Sequence, residues 1–293
     1  MKNTLFNLYT KIRLKLIGHG LGKYKIVQKT TNYTTKVLHP DHVIHNGNKF
    51  YIDKHDTNHY SNIVMYEDAE FPPPMPNHIL KIIHDSCIPG NIVVDVGANI
   101  GWFTLSYAKL VGPTGKVFAF EPIPENFELL RKNVSVNDYN NVFCEQKAIS
   151  NENKKVTMEL SDRIGDHRII ENKKSDNATI QVDCLTLDEF FKDEQKIDFL
   201  KIDAEGFDLH VLQGAENVIK KNKNIVICIE FNPTLLHQNN IQPKSLLDFI
   251  TSLGFTIFDV DRDENTPPTN NYLLNKYDNG QKSNLTDLIC IHQ

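Results

Sequence analysis

The segment Asn91 to Asn137, NIVVDVGANIGWFTLSYAKLVGPTGKVFAFEPIPENFELLRKNVSVN, constrains the fold more than any other stretch of the chain. It reads as strand, glycine turn, helix, strand and acidic stop in succession, the outline of a nucleotide-cofactor cradle. Ile92-Val93-Val94 is an apolar, β-branched run suited to a buried parallel strand. Gly97 and Gly101 let the backbone turn tightly against a ligand before a helix starts. Glu121 closes the next strand, KVFAF, twenty residues beyond Gly101. A carboxylate at the tip of that second strand can grip a ribose diol.

The turn departs from the dinucleotide fingerprint. Gly97-Ala98-Asn99-Ile100-Gly101 is not a GxGxxG, because Asn99 replaces the middle glycine that lets a pyrophosphate approach the backbone. Asp95, just before the turn, repels phosphates and attracts a cation such as the amino group or sulfonium of S-adenosylmethionine (SAM). Asp95, Gly97, Asn99, Gly101 and Glu121 are therefore read as a SAM site rather than an NAD site. The structural alternatives are a turn-stabilising carboxylate for Asp95 and a strand-end surface acid for Glu121.

DVGANIG, the following Thr104-Leu105, AFEP with Pro124 and Asn126, and later KIDAEG with Gly214-Ala215 resemble the FkbM-type SAM-dependent methyltransferases. The resemblance runs from about Val93 to Asn232. It implies an α/β class I methyltransferase fold, a Rossmann-like and mostly parallel sheet closed by a C-terminal antiparallel hairpin. It also implies O-methylation of sugar or polyketide hydroxyls, adds Thr104 to the cofactor residues, and places the backbone of Ala148 near the adenine. The first ninety residues and the last sixty carry no matching motif, so substrate choice is not inherited with the fold.

With 293 residues and 40% apolar content, the chain can hold one large α/β domain plus an extension. Its five cysteines, Cys87, Cys144, Cys184, Cys228 and Cys290, are widely spaced and form no CxxC pair, as expected of buried thiols in a reducing compartment. No run approaches the roughly 18 apolar residues of a membrane span, so the expected location is cytoplasmic. Residues 1–40 nevertheless carry eight Lys or Arg and no acid. With Leu5, Leu8, Ile12 and Leu16 at helical spacing, this start suits either peripheral contact with the inner membrane surface or packing on its own domain. The overall charge of −5 and sparse basic residues argue against a nucleic-acid partner.

The prolines of FPPPMP, residues 71–76, mark a boundary between an N-terminal extension, 1–76, and the methyltransferase domain, 77–293. Upstream, Asn46-Gly47 signals a β-hairpin. Downstream, strands expected at 93–96, 117–120, 142–146, 197–202 and 225–230 alternate with helices. Residues 151–176 are polar and read as a surface excursion, and ATIQVDCL as a further strand. Residues 255–260 and 288–291 can pair as the terminal hairpin.

KIDAEG ends the fourth core strand, so its polar side chains should emerge at the carboxyl edge beside the cofactor. Asp203 is the candidate general base toward an acceptor hydroxyl, with Glu205 beside it. Alternatively, Asp203, Glu205 and Glu230 hold a hard divalent cation, Mg2+ or Mn2+, that acidifies the hydroxyl; in the bland reading Glu205 only caps the next helix. His167, His210 and His237 are weaker candidate bases. The expected acceptor is a hydroxylated small molecule or glycan, most simply a saccharide or glycolipid-linked glycan. Asn232-Pro233 keeps nucleic-acid methylation open as a rival, and a catalytically silent SAM-binding scaffold is a third reading.

Overall fold

The computed structural model describes residues 42–52, 77–160, 168–170, 178–193, 196–262, 264, 266–280 and 284–292. The basic start, the proline cluster and His167 lie outside them. The chain divides into two units, residues 1–74 and 75–293. In the first, β1 (His42–His45) and β2 (Asn48–Tyr51) pair antiparallel. Asn46 and Gly47 both take positive φ, 50° and 80°, the tight turn that an Asn-Gly pair favours.

The second unit begins with α1 (Asn77–Ser86), followed by β3 (Ile92–Val96), α2 (Trp102–Val111), β4 (Lys116–Phe120), α3 (Pro124–Val136) and β5 (Val142–Glu145). Gly112, at φ 63°, ends α2, and Pro124 opens α3 where its missing N–H costs nothing. After a diversion the chain returns to the sheet with β10 (Phe199–Ile202) and β11 (Val226–Phe231). It finishes with β12 (Phe255–Asp259) and β13 (Thr286–His292). Among the described residues the sheet order is β12-β13-β11-β10-β3-β4-β5. β13 runs antiparallel to both neighbours, and the pairs joining β11, β10, β3, β4 and β5 are parallel. This is the mostly parallel sheet with a terminal antiparallel hairpin expected of a class I methyltransferase.

The chain builds β3, β4 and β5 outward in one direction and then crosses back to add β10 and β11 on the other side of β3. The carboxyl ends of β3 and β10 therefore flank the point where strand order reverses, the position at which open α/β sheets bind ligands. Four consecutive buried residues, Val93 to Val96, seat β3 between two layers. On one face Val93, Val117 and Phe199 meet Tyr107, Ala108 and Val111 of α2, and on the other Val94, Leu200 and Ile227 join Val211, Leu212 and Leu246. Each such buried side chain contributes about 1.5–3 kcal/mol, so the edge is carried on a stiff base.

Residues 151–176 are not simply a surface excursion. β6 (Ala148–Ile149), β7 (Lys154–Glu159), β8 (Arg168–Ile170) and β9 (Thr179–Leu185) form a second sheet, ordered β6-β9-β7-β8. Val156 and Met158 alternate with charged and hydroxylated residues, so the charged composition hid a period-two pattern. Their buried face packs with Ile169, Val182, Ile123 and Phe207. The sheet thus leans on the residues following β4 and β10. A short helix, α4 (Leu187–Phe190), then leads back to β10.

Candidate active site

The loop after β3 is pinned from both sides. Gly97 N and Ala98 N both donate to Phe120 O, at 3.0 Å each, and Asp203 N donates to Val96 O at 3.1 Å. Gly97 has φ +78°, and a Cβ there would lie 1.9 Å from the carbonyl oxygen of Asp203. Gly101 has φ +94°, and its Cβ would meet Leu130 Cδ1 at 2.8 Å. The glycines expected to admit a ligand thus also admit neighbouring protein. Gly97 lets the loop seat on the backbone of Asp203, and Gly101 lets α2 start against α3. Asn99, at φ 52°, takes the left-handed conformation that asparagine tolerates better than most residues.

Glu121 is 4% exposed, which excludes a surface acid. Its Oε2 accepts from Asn99 N at 2.8 Å and its Oε1 from Ile123 N at 2.9 Å, and the Asn126 side chain adds a third hydrogen bond. Burial pushes its carboxyl up to about 7 despite these three donors. Three of its roughly four lone-pair sites are taken, so the carboxylate can still accept one hydroxyl group.

Asp95 is 0% exposed. Its Oδ2 accepts from Thr104 Oγ1 at 2.6 Å, and Lys201 Nζ stands 3.8 Å from Oδ1. Asp95 and Thr104 therefore brace the loop from beneath. The turn-stabilising alternative describes it better. Burial raises the Asp95 carboxyl above its ordinary value, against the lowering effects of Lys201 and Thr104.

Lys201 was missed in the sequence, although a lone cation inside Phe199-Leu200-Lys201-Ile202 is the signal that should reveal it. Its side chain is 6% exposed, donates to Asp203 Oδ2 at 3.1 Å and lies 4.8 Å from the Phe103 ring centroid. Burial alone would depress its ammonium, but Asp203, Asp95 and Asp287 outweigh burial and hold it above the ordinary lysine value. The side chain of Asp203, 38% exposed, is the part of this chain of charges that meets solvent.

Asp208, also missed, begins the helix Asp208–Gln213 (α5) and accepts from Ala204 N at 3.0 Å and Gly206 N at 3.1 Å. It ties the DAEG turn, so Glu205 is not the helix cap. Glu205, at φ 49°, is half-buried, and its carbonyl accepts from Asn239 Nδ2. Ala148 is buried in the second sheet and pairs with Cys184. His237 meets Asp278 at 2.9 Å, and His210 lies beside the Phe207 ring. Asn232 caps the helix Pro233–Gln238 (α6) through Leu235 N, a structural duty that accounts for Asn232-Pro233.

The donor set fits SAM. Oδ1 of Asn99 is a buried acceptor without a hydrogen-bond partner, and Glu121 keeps a free lone pair, whereas SAM brings an amino group and hydroxyls as donors. The donor set does not fit a metal ion. Among the described residues no three His, Cys, Asp or Glu side chains converge in a metal-binding group, which corrects the assignment of Asp203 and Glu230 as ligands. Lys201 occupies the position beside Asp203 where a cation would be wanted. Among the described residues no helix is long and apolar enough to cross a membrane. All five cysteines are unpaired; four are buried and Cys144 is half-buried.

Residues 95–257, more than half of the chain, match the Methyltransferase FkbM domain family. Among curated relatives, "Methyltransferase 1" of Beauveria bassiana is 25% identical over 148 residues, which cover 43% of this chain and 59% of the relative. The "Hexuronic acid methyltransferase AglP" of Haloferax volcanii is 23% identical over 192 residues, 64% of this chain and 73% of the relative. A segment of 45 residues is 56% identical to the "31-O-demethyl-FK506 methyltransferase FkbM" of Streptomyces tacrolimicus, covering 15% of this chain and 17% of that one.

Proposed function

This chain belongs to the FkbM family of SAM-dependent methyltransferases, and on that premise we propose that it methylates a hydroxyl oxygen of a saccharide, free or in a lipid-linked glycan. The observation that carries this reading is the Asp203 carboxylate, half-exposed at the reversal of strand order and anchored by Lys201. SAM, held by the loop of Asn99 and by Glu121, would supply an electrophilic methyl group to the acceptor oxygen and leave as its thioether. Asp203 takes the proton that the hydroxyl loses. Fixed alignment supplies much of the acceleration, about 7–11 kcal/mol in favourable systems, and a positioned base adds about 10²–10⁴-fold. Glu205 is the second carboxylate at this edge, on the turn that Asp208 holds. The names of the Haloferax and Streptomyces relatives, a hexuronic acid methyltransferase and an O-demethyl-FK506 methyltransferase, support a hydroxylated acceptor. Incubating the enzyme with methyl-labelled SAM and separate sugar, lipid-linked sugar and RNA acceptors tests the proposal. Label is expected in a sugar acceptor, and label confined to RNA would overturn it.

The buried position of Glu121 gives cofactor binding a pH dependence. Its carboxyl is raised to about 7, so below that pH it is largely protonated and has lost one acceptor and its charge. Hydroxyl donors favour the ionised form, so SAM binding releases a proton. Affinity for SAM should therefore rise from pH 6 to pH 8, and the rise should be smaller in Glu121→Gln. The difference between the two titrations removes the ligand's own ionisation. Parallel curves in a calorimetric titration would detach Glu121 from the ribose. Glu121→Ala should cost about 1–3 kcal/mol of SAM affinity at pH 8.

A further inference from the structure

Beyond Asp203 the carboxyl edge carries two more acids that cofactor binding leaves unused. In the register, Ile202 sits beside Ile229, so Asp203 falls one step on, beside Glu230, and Glu230 stands directly opposite Asp287. Residues at matching register share a face of the sheet. Lys201, two residues before Asp203, lies on that face as well. Directly opposed like charges are unfavourable, so this row is not explained by sheet stability.

Two further observations mark the row as facing a ligand. Oε2 of Glu230 is closed to solvent and has no hydrogen-bond partner, an unmet acceptor at the edge of the site. The neighbouring charges are also one-sided. Asp95, Asp203 and Asp287 all act on the single ammonium of Lys201. Glu230 is raised well above the ordinary carboxyl value, first by burial and then by Asp203, Asp208, Glu205 and Asp287, whereas Asp287 is raised to about 6 by burial and Asp203 against the pull of Lys201. A group that enters here meets the negative charge of Asp203 and Asp287, with the Glu230 carboxyl, which its neighbours push toward the neutral form, between them.

We propose that Asp203 and Asp287, on either side of Glu230, form an edge that rejects anions, so the sugar unit methylated by this enzyme carries no negative charge. The inference rests on the saccharide reading and narrows it. Sugar hydroxyls can donate to the carboxylates of Asp203 and Asp287, whereas a uronate carboxylate or a phosphate would add charge beside them in a partly desolvated site. This chain then differs in acceptor from its Haloferax relative, which by name acts on a hexuronic acid.

Binding can be read whether or not the alcohol reacts, so the test uses the full chain saturated with S-adenosylhomocysteine. Calorimetry would compare an alkyl glucoside with the matching glucuronide, and cyclohexanediol with a hydroxycyclohexanecarboxylate. The neutral member of each pair should bind at least about tenfold more tightly, the scale of one like-charge contact in a partly buried site. Asp287→Asn and Asp203→Asn, made singly so that a failure of one to fold leaves the other, should bring the ratio toward one by strengthening the anion. If the sugars fail to bind while the cyclohexane pair keeps its order, the saccharide reading falls and the charge selection stands. A preference for the anionic member, a ratio that neither substitution moves, or no binding by any of the four compounds would overturn the inference.

Discussion

Lys201→Ala should destabilise the protein by about 3–5 kcal/mol, the cost of removing one partner from a buried ion pair. The ammonium lies 3.8 Å from Asp95 and 3.1 Å from Asp203, and the carboxylate of Asp95 is wholly buried. Asp203 can turn to water when the lysine is gone, but Asp95 cannot, and Thr104 alone satisfies only one of its oxygens. The favourable contact with the Phe103 ring is lost as well. The deficit should depend on pH. Asp95 is already raised by burial, and without Lys201 it rises further, so its ionisation costs the folded state more than the unfolded chain. Stability in the variant is then retained at low pH and lost as pH rises above the unfolded carboxyl value, making the deficit larger at pH 8 than at pH 5. Asp95→Asn in the same chain should recover most of the loss, because the stranded charge is gone. Denaturant unfolding of the four proteins in this cycle measures the coupling. A single-variant loss below about 1 kcal/mol would mean that water reaches Asp95.

The parts of the fold that were legible in the sequence are those where a local rule and a tertiary demand agree. Ile92 to Val96 must be strand because a mostly β-branched run buried on both faces has no other stable home, and Gly101, Gly112 and Pro124 punctuate the helices as local chemistry dictates. The second sheet was hidden because Val156 and Met158 show their alternation only when taken singly, among lysines, threonine and glutamate that set the average. Within the site, Glu121 was legible from its spacing, but the depth of Asp95 was not. A carboxylate before a glycine turn looks the same in sequence whether it faces ligand or core. Only the register Lys201↔Asp95 reveals that an ammonium from another strand lies beside it. Asp208 was overlooked because its bonds to Ala204 N and Gly206 N appear only once the turn is folded.

Asp203→Asn should lower turnover by between about tenfold and about 10⁴-fold, the upper figure being the full contribution of a positioned base. The amide is nearly isosteric and can still accept a hydrogen bond from Lys201, but it cannot take the acceptor's proton. The backbone of Asp203 is the surface on which Gly97 rests, and the substitution leaves that backbone unchanged. SAM affinity and unfolding temperature should therefore stay close to those of the native protein while kcat falls. The same substitution at the neighbouring acid, Glu205→Gln, should cost less, because Glu205 occupies a turn held by Asp208 and Asn239 rather than a position tied to Lys201. Single-turnover kinetics with saturating SAM would isolate the chemical step. If Asp203→Asn retains full activity, proton removal falls to water or to another carboxylate of the edge. If it loses activity that added Mg2+ or Mn2+ restores, the carboxylate acts through a cation, and the grouping around Lys201 must rearrange when substrate binds.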